Sequence, residues 1–160
     1  MIVLRHCGAL ARDRHHGDDA DRPLTAAGRV QAETLGDVLA AYGPAAVLSS
    51  PSLRCLESVD PYCRRAGVAV EAVPALSEDD HSRHPGTAAD LLRALVADRT
   101  PVIVCTHRPV LPDLLDTVGQ GTQPGRARGE LLLPGEFVAL HTAGGLVAAA
   151  DRHAAYAISG

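Results

Sequence analysis

PVIVCTH, residues 101–107, is the most strand-like stretch of this 160-residue chain. An unbroken apolar run of this length suits a strand buried on both faces, as in a parallel sheet. It runs directly into Thr106 and His107. MIVL at residues 1–4 reads the same way and ends in Arg5 and His6. AAVLSS at 45–50 and the alternating VAVEAV at 68–73 supply two more strands. Helical patterns separate them. Thr25 is the N-cap of a helix in which Ala32, Leu35, Leu39 and Tyr42 share one face and Gly43-Pro44 is the stop. Residues 52–67 form a second helix, kinked or split at Pro61. A third runs from Thr87 to about Ala97. A fourth covers Arg108–Val118, with Pro109 in its first turn. Residues 9–22, SEDDHSRHPG at 77–86 and QGTQPGRARGE at 120–130 read as polar loops. EFVALHTAGGLVAAAD, residues 136–151, reads as a hairpin turning at TAGG, with at least one antiparallel strand.

Strands alternating with helices predict an α/β fold: a three-layer α/β/α sandwich with a mostly parallel central sheet. No repeat or linker interrupts it, so residues 1–160 read as a single domain. Hydrophobic residues make up 46% of the chain and aromatic residues 2%, with no Trp, so Val, Leu and Ala must build the core. Base stacking is then no route to a nucleic-acid polymer, and a net charge of −4 argues against affinity for one or for an anionic membrane. All 15 basic residues are arginine, which excludes lysine Schiff-base chemistry. No apolar run approaches the roughly 20 residues of a membrane span, and no signal-peptide pattern opens the chain. Cys7, Cys55, Cys63 and Cys105 have irregular spacings and read as free thiols, so the expected location is cytoplasmic.

Ligands of parallel α/β sheets bind at the carboxyl ends of the strands. There this chain places Arg5-His6, Ser49-Ser50 with Arg54 one turn further, Ser77 to Asp80, and Thr106-His107-Arg108. A buried cation is costly unless an anion pairs with it, and arginine's planar fork of donors matches phosphate oxygens. A histidine flanked by arginines is kept from protonating, so its neutral nitrogen can attack phosphorus. A second histidine can steady the charge that develops, and a carboxylic acid can protonate the leaving oxygen. Any one of these residues alone would pass for a structural ion pair; three strand ends together point to a phosphoryl group. His15, His16, Asp18 and Asp19 show no metal-ligand spacing, so that loop reads as solvated, at the substrate entrance, and no metal is expected. Cys7 has Asp13 where a cysteine phosphatase needs its arginine.

LRHC at 4–7, PLTAAGRVQAETL at 23–35, LSSPSLRCLESV at 48–59 and VIVCTHRPVLPDLL at 102–115 together resemble the histidine phosphatase (phosphoglycerate mutase-like) superfamily. Within it the chain is similar to the compact SixA-like branch. It is also similar to the phosphatase-like domain that follows a Nudix domain in actinobacterial MutT-type proteins. The resemblance implies a phosphoglycerate mutase-like fold and a phosphatase hydrolysing a phosphoester or phosphoramidate through a phosphohistidine intermediate. It implies His6 as nucleophile, Arg5, Arg54 and His107 around the phosphate, and Glu78 as proton donor, with Asp79, Asp80 or no acid as alternatives. It implies no cofactor, and as substrate a nucleotide, a phosphohistidine protein or another phosphorylated small molecule, with a Nudix-type partner domain. Two departures stand out: Cys7 replaces the glycine of R-H-G, and Arg108-Pro109 follow His107 where many members carry glycine. The competing functions are a non-catalytic module binding a phospho-ligand or a Nudix partner, and a phosphoglycerate mutase-type phosphotransferase, for whose closed site the chain offers little material.

Overall fold

The computed structural model describes residues 1–43, 45–118 and 132–155. Its strands are β1 (Ile2–Arg5), β2 (Ala46–Ser49), β3 (Val70–Ala72), β4 (Val102–Thr106), β5 (Phe137–Ala143) and β6 (Leu146–His153). They form one sheet in the order β3-β2-β4-β1-β5-β6. The first four strands run parallel, and the terminal hairpin adds β5 and β6 antiparallel. PVIVCTH becomes the central β4, buried at every position. VAVEAV shrinks to the three residues of β3, which are exposed at the sheet edge.

Period-two alternation sorts the strand side chains between two cores. Ile2, Leu4, Val47, Ile103 and Cys105 face α1 (Ala26–Ala41) and α2 (Leu53–Ala66), packing with Leu35, Leu39, Val59 and Tyr62. Val3, Leu48, Val102 and Val104 face α4 (Thr87–Asp98) and α5 (Leu111–Val118), packing with Leu92, Val96 and Leu114. The result is the expected α/β/α sandwich.

Four local expectations need correction. Residues 78–83 form a short helix, α3 (Glu78–Arg83), rather than loop. Ser77 caps it, its Oγ accepting from Asp80 N at 3.1 Å, and Glu78, Asp79 and Asp80 fill the first turn, where acidic side chains complement the helix dipole. Pro61 does not split α2, which runs unbroken from Leu53 to Ala66. α5 begins at Leu111 because Val110 N and Leu111 N both donate to the His107 carbonyl, closing a turn over 108–110. Tyr42 leaves the buried face of α1: it lies just beyond the helix, 45% exposed, its ring edge-on to Phe137. The loop read at 120–130 lies outside the described residues, as does residue 44 of the Gly43-Pro44 stop.

Thr25 caps α1 as predicted, its Oγ1 accepting from Gly28 N at 2.9 Å. The same residue grips the segment after His6: Thr25 N donates to the Gly8 carbonyl at 2.9 Å and its hydroxyl does so at 3.2 Å. Gly28 is packed so closely on Gly8 that a Cβ there would land on that carbonyl. Gly28→Ala should therefore displace the Gly8 segment and cost about 1–3 kcal/mol. A thermal melt of the variant superimposable on wild type would disprove this packing.

Candidate active site

Backbone hydrogen bonds fasten the strand ends before any side chain is considered. His6 N donates to Thr106 O at 3.1 Å, and Ser50 N donates to Cys105 O at 3.0 Å. His6, Ser50 and His107 are thus drawn to the same edge. The His6 and His107 rings meet edge-on, with centroids 5.3 Å apart and planes at 63°.

His6 is 8% exposed. Its Nδ1 lies 2.7 Å from the Cys7 carbonyl; a carbonyl only accepts, so Nδ1 carries the hydrogen. Burial is the main cause that brings the His6 pKa down to about 3. The Cys7 carbonyl opposes this, and the charges of His107, Arg54 and Arg5 reinforce it. The ring is therefore neutral at physiological pH, with its lone pair on Nε2. Cys7 itself is fully buried in the α1/α2 core, and burial pushes its thiol up to about 12. This accounts for a side chain where R-H-G has glycine: it points into the core, away from solvent. Cys7 N donates to Ser58 Oγ at 2.8 Å, and Ser58 donates to the Arg54 carbonyl at 2.6 Å, which couples the His6 segment to α2.

Arg54, in the first turn of α2, is 1% exposed. Its Nη1 donates to the Asp19 carbonyl at 2.6 Å, and its Nη2 lies 3.0 Å from Asp19 Oδ2 and 3.2 Å from Glu78 Oε1. His107, fully buried, meets Ser50 Oγ through Nε2 at 2.8 Å and Glu78 Oε1 through Nδ1 at 3.3 Å. Glu78 Oε2 accepts from Arg12 Nη2 at 2.7 Å. Burial alone would raise the Glu78 pKa, but the charges of His107, Arg12 and Arg54 outweigh it and hold the carboxyl below its usual range. Arg5 Nη1 donates to the Leu132 carbonyl at 2.6 Å. The Nε groups of Arg5 and Arg54 are buried without an acceptor among the described residues, a rare condition that marks room for water or an ion.

Of the five residues singled out by sequence, Glu78 contacts both Arg54 and His107, and His6 packs against His107. Arg5 joins them as a wall of the cavity, about 390 Å³, that His6 and Glu78 also line. A second cavity of about 470 Å³, lined by Arg54, Ser52 and Asp19, shares Glu78 with the first. Asp79 pairs with Arg83 and Asp80 with His84, so neither contacts the two histidines.

Asp19, on sequence part of a solvated loop, is a hub in the structure. Its Oδ1 lies 2.8 Å from Arg22 Nε and 3.3 Å from Arg12 Nε, while Oδ2 holds Arg54. Burial would raise its pKa; Arg22, Arg54 and Arg12 lower it instead. His15 Nε2 lies 3.0 Å from the Asp18 carbonyl, and Asp18 caps Ala20 N. The mixed signs of charge in RDRHHGDDADR were the only trace of this network in the sequence.

A sequence model of the histidine phosphatase superfamily (branch 1) matches residues 1–101. An 8-oxo-(d)GTP phosphatase of Mycolicibacterium smegmatis is 29% identical over 116 residues, 72% of this chain and 36% of that protein. The chain thus spans about a third of that relative's length. The SixA structure from Agrobacterium tumefaciens shares the fold with a TM-score of 0.69 at 23% identity, over 88% of this chain and 90% of that one. The protein histidine phosphatase SixA complexed with tungstate does so at 0.68 and 20% identity, over 95% and 92%.

The buried neutral His6 has a thermodynamic signature. Unfolded, histidine protonates near pH 6.5; folded, His6 stays neutral down to about pH 3. Between those values the unfolded chain binds the extra proton, so His6 lowers stability as pH falls below about 6.5 and has no such effect above it. His6→Gln should recover about 1–2 kcal/mol of that loss at pH 5. This range lies above the windows of Glu78 and Asp19. Urea midpoints of the two proteins that fall in parallel from pH 6.5 to 5 would rule out a neutral His6.

Proposed function

We propose that this chain, which belongs to the histidine phosphatase superfamily, is a histidine-dependent phosphatase with His6 Nε2 as its nucleophile. The observation that carries this is the 2.7 Å contact of Nδ1 with the Cys7 carbonyl. It commits the hydrogen to Nδ1 and leaves Nε2 as the basic nitrogen.

In the first step Nε2 attacks phosphorus and the N–P bond forms. The bond to the leaving group breaks, its electron pair departing with the leaving atom. Arg5, Arg54 and His107 take the phosphoryl oxygens and stabilise the charge that gathers on them. The Glu78 and Asp19 carboxylates hold Arg54 in the resting site and must yield it to the substrate. An arriving phosphoryl dianion is a like charge beside Glu78 and raises its pKa, which suits Glu78 to protonate a poor leaving group. In the second step water attacks phosphorus, Glu78 takes its proton, and the N–P pair returns to His6. No cofactor enters either step.

The substrate is a phosphoester or phosphoramidate. A nucleotide is favoured by the M. smegmatis relative, a protein phosphohistidine by the SixA likeness. Tungstate, a tetrahedral oxyanion like phosphate, in one SixA structure is in keeping with an oxyanion pocket here. Four buried, unpaired cysteines support a cytoplasmic setting. A Nudix-type partner domain is proposed from the resemblance to the phosphatase-like domain that follows one, and the M. smegmatis relative, about three times longer than the matched region, has length for a further domain.

His6→Ala should lower kcat for p-nitrophenyl phosphate, nucleotides and a phosphohistidine protein by at least about 10³-fold while leaving the circular dichroism spectrum intact. Equal rates in both proteins would eliminate His6 as nucleophile, and phosphate binding without turnover in wild type would leave a binding module. In kcat/KM, which reports the step in which the leaving group departs, Glu78→Gln should cost about 10²-fold on glycerol phosphate and far less on p-nitrophenyl phosphate, whose leaving group needs no proton. Equal losses on both would remove Glu78 as donor.

A further inference from the structure

The cavity in front of His6 carries more positive charge than one phosphoryl group requires. Arg5, Arg12, Arg22 and Arg108 all line it, against the single carboxylate of Glu78. Arg12 and Arg22 are engaged by Asp19, and Arg12 also by Glu78. Among the described residues the Arg5 side chain bonds only to a neutral carbonyl, which fits it to the transferred phosphoryl. Arg108 is left over. It is exposed, it has no hydrogen bond or ion pair among the described residues, and it stands near enough for its charge to weigh on Arg5.

The backbone fixes its place. Arg108 and Pro109 form the turn that follows His107, closed by the bonds of Val110 N and Leu111 N to the His107 carbonyl at 3.1 and 3.2 Å. Proline's locked φ stiffens that turn. Arg108 is therefore presented at the cavity rim, one residue from a group proposed to touch the transferred phosphoryl. Arg12, on the segment after β1, adds a second exposed guanidinium to the same wall.

We propose that Arg108, aided by Arg12, forms a second anion subsite, and that the substrate is pyrophosphate-linked, as in a nucleoside diphosphate. This rests on His6 as nucleophile. His6 Nε2 attacks the terminal phosphorus as its bond to the bridging oxygen breaks, and the electron pair stays on that oxygen. The leaving group is then a phosphate monoester. Its second pKa is about 6, so it departs at neutral pH without a proton, in keeping with a Glu78 that rests ionised. Water next forms the new O–P bond, its proton passes to Glu78, and the N–P pair returns to Nε2, releasing inorganic phosphate. A phosphohistidine substrate offers nothing to Arg108, because its leaving imidazole is not an anion.

The experiment compares kcat/KM of wild type, Arg108→Ala and Arg108→Glu on ADP, AMP, inorganic pyrophosphate and p-nitrophenyl phosphate. Wild type should prefer ADP to AMP by at least about tenfold. Arg108→Ala should cut kcat/KM for ADP at least about tenfold more than for p-nitrophenyl phosphate, and Arg108→Glu should cut it further. Pyrophosphate sharing the effect would identify the linkage alone as the recognised group; ADP alone showing it would add the nucleoside. Losses equal on ADP and p-nitrophenyl phosphate, or no loss on either, would overturn the subsite. A wild type that turns over p-nitrophenyl phosphate through His6 without preferring ADP overturns only this inference. Silence on all four, with a phosphohistidine protein still turned over through His6, overturns only this inference; silence on that protein as well would remove the nucleophile reading with it.

Discussion

The pairing of β1 with β4 decides where the chemistry can be. Their parallel register sets Arg5 opposite Thr106, and one residue later the bond from His6 N to the Thr106 carbonyl carries the pairing past the last regular strand position. Parallel strands end on the same side of a sheet, so the residues that follow, His6 and His107, must emerge together. Everything else in the site is added to this pair. Arg54 comes from the helix after β2, the next strand along, and Glu78 from the helix after the edge strand. The proposed nucleophile, His6, is consequently held at the end of two largely buried strands.

Electrostatics around the histidines is a competition among anions. In the resting protein Arg12, Arg22 and Arg54 are held by Asp19 and Glu78, and each of those carboxylates answers to more than one arginine. Such mutual pairing satisfies charges that would otherwise be costly to bury. Under the proposed function, phosphate binding at Arg54 is an exchange of anions, in which the incoming oxygens replace carboxylate oxygens on the same donor.

The sandwich was legible in the sequence because its strands are short unbroken apolar runs and its helices have one apolar face. Both signals arise from burial and survive without neighbours. Arg5, His6, Arg54 and His107 were legible as candidates because each lies at the carboxyl end of a strand or within a turn beyond it, a position that topology alone assigns to the ligand side. Asp19 and Arg12 were not, since their importance comes from contacts across 35 residues or more of chain and no local periodicity records them. The helix at Glu78 was missed for another reason. Its first turn is acidic and its length is six residues, too short to show an apolar stripe, so only the Ser77 cap could have announced it.

The edge of the sheet at β3 carries a consequence for behaviour in a crowded solution. An unpaired strand edge is a template on which another chain can extend a sheet. Here that edge is three residues long, exposed at each of them, and has Glu71 at its midpoint. A strand this brief offers few hydrogen bonds to a visitor, and the charge at its centre must be desolvated before any form. The shrinkage of VAVEAV to β3 thus acts as a guard against aggregation, on the side of the protein where its parallel core would otherwise lie open.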